Sequence, residues 1–105
     1  MLTERYFDEV LRDLHQGKKT GALYIDVVEQ SEDMLKIYFE EGVIYFIKYG
    51  SAAGNDVLDI IEFYNLYSCT YFEGITAPGK PVRDLPPTPA IVARIESLKK
   101  KIKVR

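Results

Sequence analysis

The stretch HQGKKTG, His15–Gly21, places two lysines and a threonine between glycines just before an apolar run. Glycine, lysine and threonine are the materials of a phosphate-binding loop, in which backbone amides and a helix N-terminus converge on an anion. That loop needs a glycine five residues before its final glycine, then lysine and serine or threonine, between a strand and a helix. Taking Lys19 and Thr20 as the pair puts Lys18 where the final glycine belongs and Asp13 where the first belongs. The flanking patterns also run helix then strand, the reverse order, so the geometry for phosphate is missing. Other reactive residues stand alone. His15 is the only histidine, so no histidine pair can hold a metal. Cys69 is the only cysteine, which excludes an internal disulfide and a cysteine-cluster zinc site. With no basic neighbour in its strand, it reads as a small buried apolar residue rather than a nucleophile. The acidic pairs Glu32–Asp33 and Glu40–Glu41 fall in turns, where carboxylates are solvated rather than opposed across a pocket. No catalytic residue, no cofactor and no metal is therefore expected, and the chain reads as a non-enzyme.

The elements that carry these residues follow from periodicity. Thr3 can cap a helix whose apolar residues Tyr6, Phe7, Val10, Leu11 and Leu14 have helical spacing, with Gly17 placed to end it. GALYIDVV alternates, with Leu23, Ile25 and Val27 on one face, and MLKIYFE alternates again through Leu35, Ile37 and Phe39. A tight turn at Gly42 joins the latter to VIYFIKY. GSAAGND is a small-residue loop in which Asn55 can cap a helix carrying Val57, Ile60, Ile61 and Tyr64 as its apolar stripe. SCTYFEG reads as a fourth, shorter strand. Thr88 as cap and Pro89 at the first helical position launch a last helix with Ile91, Ile95, Leu98 and Ile102 spaced four, three, four. The order predicts an α+β fold: an antiparallel sheet of about four strands packed with an N-terminal, a middle and a C-terminal helix. One domain is expected overall, with a body over 1–74, a proline-rich tether over 75–88 and a basic helix over 89–105.

A chain of 105 residues is the size of one domain. No apolar run approaches the roughly 20 residues of a membrane helix, and no signal peptide opens the chain, so a cytoplasmic protein is expected. The net charge of −2 is unevenly spread. Residues 1–93 carry 8 basic and 15 acidic groups, a balance of −7, whereas 94–105 carry 6 basic groups against Glu96, a balance of +5. Such a tail can dock on its own acidic body, on a partner or on nucleic acid.

VIYFI is apolar at every position while its neighbours alternate, which predicts a strand covered on both faces. A two-residue hairpin loop sets Phe39 opposite Ile44 and leaves Val43, Tyr45 and Ile47 on the second face beside Tyr38. A three-residue loop puts Ile44 and Phe46 there instead. Either register leaves a half-apolar second face that the last helix or another chain must cover. The candidate interaction surface is therefore Tyr24, Tyr38 and Tyr45 on the sheet, with Ile95, Leu98 and Ile102 on the last helix. Packing of that helix on its own domain competes with dimerisation. The tyrosines also invite a stacking platform for single-stranded nucleic acid, but Asp26, Glu29 and Glu40 repel phosphates, and the tail is its main support.

The order of motifs resembles the PATAN-type domain, a bacterial module that often accompanies response-regulator receiver domains. The matching stretches are LRDLHQGKKTGALYI, IYFEEGVIYFIKY and GNDVLDIIEFYNLYSCTYFEG. The residues that carry the likeness are Leu11, Leu14, Lys19, Thr20, Gly21, Leu23, Phe39, Gly42, Gly54, Leu58, Ile61 and Phe72, within about residues 10 to 74. The chain departs from the pattern at Tyr45–Ile47, where the family has small residues, and at Tyr67–Ser68, where it tends to have glycine. The resemblance implies a non-catalytic adaptor or protein-interaction role in bacterial signalling or motility. The expectation is a signalling protein as partner, with self-association into homodimers as one route. Weak nucleic-acid binding through Lys99, Lys100, Lys101, Lys103 and Arg105, or small-molecule sensing, are the alternatives.

Overall fold

The structure, a computed structural model, describes residues 3–30, 32–79 and 85–105. Its elements are β1 (Thr3–Tyr6), α1 (Phe7–Gln16), β2 (Gly21–Val27), β3 (Met34–Glu40), β4 (Val43–Tyr49), β5 (Ala52–Ala53), α2 (Asn55–Phe63), β6 (Leu66–Glu73), α3 (Thr88–Leu98) and β7 (Lys101–Val104). The strands form one sheet in the order β1-β7-β6-β2-β3-β4-β5. Every neighbouring pair is antiparallel except β6 and β7. The α+β class holds, but the sheet is mixed and has seven strands, not about four antiparallel ones. The additional strands β1, β5 and β7 span only two to four residues, too few for a period of two to declare itself. No helix among the described residues is long and apolar enough to cross a membrane.

All three helices pack on one face of the sheet. Phe7, Leu11 and Leu14 of α1, Leu58 and Ile61 of α2, and Ile91 and Ile95 of α3 join Leu23, Ile25, Leu35, Ile37, Phe39 and Ile47 in one buried cluster. Arg12 fastens two of the helices, reaching Asp8 at 3.3 Å within α1 and Glu96 of α3 at 3.0 Å.

Several local expectations change. Thr3 caps nothing, because Thr3–Tyr6 is a strand paired with β7 and the first helix starts at Phe7. The backbone N–H of Tyr6 donates to Glu9 Oε1 at 3.4 Å instead. Gly54, with φ of +69°, takes the cap position assigned to Asn55. Thr88 lies inside α3 rather than at its cap, and its hydroxyl accepts the buried Ile44 N–H at 2.9 Å. The strand expected as the shortest, β6, is the longest, at eight residues.

The largest correction concerns the helix expected over 89–105. It ends at Leu98, where Lys99 adopts φ of +50°, and the chain re-emerges as β7 between β1 and β6. The alternation KIKV then puts Ile102 in the core and its charged neighbours on the opposite face. The basic end is thus an internal strand of the sheet rather than a tail beyond it. Of the tether expected over 75–88, residues 80–84 lie outside the described residues.

Candidate functional site

HQGKKTG acts on the β3–β4 hairpin, whose two-residue turn sets Glu41 at φ +48° and Gly42 at φ +83°. Three contacts hold that turn. Thr20 Oγ1 accepts the Glu41 N–H at 2.9 Å, and the Lys19 carbonyl accepts the Gly42 N–H at 2.8 Å. His15 Nδ1 donates to the Gly42 carbonyl at 2.9 Å. A side chain on Gly42 would collide with the His15 carbonyl, and one on Gly21 would meet the Phe72 carbonyl and the Tyr71 hydroxyl. The apparent phosphate loop is a clamp on a hairpin, with Thr20 Oγ1, the Lys19 carbonyl and His15 Nδ1 engaged inside the fold. Cys69 is buried in β6, and desolvation pushes its thiol up to about 11, with Arg5 nearby working weakly the other way. Among the described residues no three His, Cys, Asp or Glu side chains gather as a metal site.

What the fold leaves open is the second face of the sheet. No helix residue contributes to its apolar cluster, which is built on Ala22, Tyr38 and Phe46 with Tyr24, Tyr45, Ala53 and Ala77 packed against it. The register that builds it is neither of the two expected. The hairpin has the two-residue turn and Phe39 opposite Ile44, but Tyr38 pairs with Phe46, so Tyr45 is an extra residue bulged out of β4. The bulge resets the alternation. Ile44 and Ile47 both enter the helix-covered core, while Tyr45 and Phe46 both belong to the open face. Ile47 therefore does not lie beside Tyr38, and Phe46 takes that place.

Aromatic rings cross four strands of this face in contact. Phe72 of β6 lies 5.1 Å from Tyr24 of β2, Tyr24 lies 6.4 Å from Tyr38 of β3, and Tyr38 lies 5.7 Å from Phe46 of β4. The two ends differ in exposure. Toward β4 the rings close over one another, leaving Tyr38 3% and Phe46 7% exposed, and the Ala77 N–H donates to Tyr45 Oη at 3.0 Å. Desolvation, followed by a hydrogen bond with Tyr24, pushes the Tyr38 phenol up to about 12. Toward β1 the rings are open: Phe72 is 42%, Tyr67 48% and Tyr6 41% exposed. Lysines sit over three rings here, Lys36 over Tyr24 at 5.1 Å, Lys101 over Tyr6 at 5.7 Å and Lys103 over Tyr67 at 5.0 Å.

The candidate surface therefore divides. Tyr24, Tyr38 and Tyr45 come together on the open face, with Tyr38 buried and the other two half-buried. Ile95 and Ile102 are buried in the core of the other face, and Leu98 packs half-buried against it, so these three form no seam for a second helix. Tyr67 and Phe72 belong to the site but are not among the sequence-based candidates; Phe46 is placed on this face only by the three-residue-loop register, and Lys101 and Lys103 are named only as part of a basic tail. The alternation of KIKV and the exposed aromatics of LYSCTYFE were the available signals.

No protein-family model, curated protein or solved structure matches the chain.

Proposed function

We propose that the chain is a non-catalytic docking module that takes a protein partner on the helix-free face of its sheet. The observation that carries this reading is that Phe72, Tyr67 and Tyr6 keep exposed rings on a face that no helix among the described residues covers. Aromatic side chains are enriched at protein interfaces, and rigid aromatics supply contact area at small entropic cost. At HQGKKTG, His15 Nδ1, Thr20 Oγ1 and the Lys19 carbonyl are taken up in holding the β3–β4 turn. The likeness of motif order to PATAN-type domains supports an adaptor role in bacterial signalling or motility.

The test compares the tagged chain with its Phe72→Glu variant in affinity capture from a lysate of the source cells, with light scattering alongside. A partner retained by the parent and lost by the variant, with the circular dichroism spectra superimposed, is the expected result. Equal capture by both would sink the reading, as would a strict monomer that retains nothing.

A further inference from the structure

We infer that the occupant of the open face is an acidic protein segment carrying interspersed apolar side chains, received on the half formed by β7, β6 and β2. This inference rests on the docking reading and adds the chemistry of the partner. Strand alternation places Lys36, Lys48, Lys101, Lys103 and Arg105 on the open face, against Glu4, Asp26 and Glu40. Glu32 and Asp33 line the hollow beside Lys36 and Lys48 and offset that pair, so the cationic excess of the face lies at its β7 end, where Lys101, Lys103 and Arg105 stand against Glu4 and Asp26. The remaining described residues carry seven cations against ten carboxylates, a balance of −3. An approaching acidic segment is thus drawn to the β7 end of the open face rather than to the acidic remainder of the described residues.

Two local features sharpen the choice. Lys36 and Lys48 stand directly opposite one another across β3 and β4, a like-charge pair that destabilises a sheet unless an anion sits between them. Glu32 and Asp33 line the same hollow, yet no ion pair within 4 Å joins either to these lysines among the described residues. At the other end, the cations have only loose internal partners. Lys101 lies 3.8 Å from Glu4 and Arg105 lies 4.0 Å from Asp26, both at exposed positions. Such pairs contribute little and exchange readily for a partner's carboxylates. Between the two groups of cations, Tyr67 and Phe72 offer contact to apolar side chains.

Single-stranded nucleic acid fits the same face less well. Its bases need stacking rings at successive-nucleotide spacing, but Tyr67 and Phe72 are five residues apart along β6, about 17 Å at the rise of an extended strand. Tyr38 and Phe46, the rings that lie between β2 and the far edge, are buried. Three carboxylates interrupt the cations that would otherwise follow a phosphate backbone.

The test uses three fluorescein-labelled probes of twelve units and the full chain. One peptide has glutamate at alternate positions with leucine and serine between, its control has lysine at those positions, and the third probe is oligothymidylate. The acidic peptide is expected to raise anisotropy at concentrations at least about tenfold below the lysine control. Raising salt from roughly 0.05 to roughly 0.5 M should weaken it by about tenfold. The Lys101→Glu/Lys103→Glu double variant should lose binding with its circular dichroism spectrum unchanged. Amide resonance shifts should fall on β6 and β7 and spare α1 and α2. Binding of oligothymidylate in preference to the acidic peptide, equal binding of both peptides, or no binding would each overturn the inference. So would self-association that buries the same resonances. The capture assay keeps the two readings apart. A partner lost by Phe72→Glu but indifferent to salt and to the double variant leaves the docking reading standing and removes the acidic partner. A partner indifferent to Phe72→Glu removes both.

Discussion

The two faces of the sheet bury apolar groups by different means. On one, three helices bring long aliphatic side chains from distant parts of the chain onto Leu23, Ile37, Phe39 and Ile47, and the layer closes completely. On the other, the sheet covers itself, ring against ring, and closes only near β4. Helices can supply an apolar stripe wide enough to seal a sheet, whereas rings on neighbouring strands cover one another only where a bulge crowds them. The helix-covered face therefore carries the stability, and the self-covered face keeps an unsealed end that is available to a partner.

The largest expected effect tests that division directly. Phe39 is fully buried under the helices, and Phe39→Ala should destabilise the fold by about 3–5 kcal/mol in urea unfolding. Tyr38, its neighbour on the opposite face, is also nearly buried but covered only by other rings and Ala77. Tyr38→Ala should cost about 2–3 kcal/mol, since part of the cavity can collapse or admit water. Equal costs would mean that the second face is sealed as firmly as the first, and the contrast would fail.

A smaller effect is expected where α3 meets the edge of the sheet. Thr88 Oγ1 is the acceptor for the buried Ile44 N–H, so Thr88→Val leaves a backbone donor without its partner. A loss of about 1–3 kcal/mol is expected, with Thr88→Ser retaining most of the stability because it keeps the hydroxyl. If valine is tolerated as well as serine, the hydroxyl has no part in tying the helical layer to β4.

Alkaline unfolding distinguishes the buried thiol from the buried phenols by pH. The Cys69 thiol, under the helices, is raised from 9.0 to about 11, and the phenols of Tyr38 on the open face and Tyr71 on the helix-covered face from 10.0 to about 12, in each case chiefly by desolvation. A group whose folded pKa lies above its unfolded one stabilises the fold fully below the unfolded pKa and loses that contribution as pH rises through the folded one. Stability should therefore begin to fall near pH 9. In Cys69→Ala the onset should move up by about one pH unit, to where the buried tyrosines begin to titrate. An unchanged onset would show that the thiol does not govern the first part of the fall.

The helix-covered face was far more legible in the sequence than the open one, and the reason is periodicity. Leu23–Val27 and Leu35–Phe39 alternate over seven-residue strands, and the α1 stripe runs for two turns, so their buried sides were evident without coordinates. Ile91, Ile95, Leu98 and Ile102 also have helical spacing, yet the helix stops at Lys99 and Ile102 reaches the same core from a strand. Apolar spacing shows that a residue is buried but does not distinguish the two routes. That ambiguity hid the placement of Lys101 and Lys103, and with it the basic character of the β7 end of the open face. The bulge at Tyr45 was hidden for a related reason: VIYFI is apolar throughout, so a reset in its alternation leaves no trace in residue type. HQGKKTG was informative in order and spacing, but its role as a hairpin clamp depends on Glu41 and Gly42, some twenty residues away in sequence.

The smallest change in stability should accompany the most decisive change in binding. Phe72 is 42% exposed and touches the rest of the aromatic run through Tyr24 at 5.1 Å. Removing its ring opens no sealed cavity, so Phe72→Ala should shift stability by no more than about 0.5 kcal/mol. The same ring stands near the end of β6, with the Lys36–Tyr24 pair lying along the strands between it and the Lys103–Tyr67 pair. Aromatic anchors carry a disproportionate share of binding energy once a partner excludes water around them, and truncation there costs about 2 kcal/mol or more, roughly thirtyfold in affinity. The prediction is a variant that unfolds with the parent in urea and fails to retain the partner at concentrations where the parent is saturated. A variant that loses stability and binding in parallel would place Phe72 with Tyr38 as a structural residue, and would erase the distinction between the closed and open ends of the face.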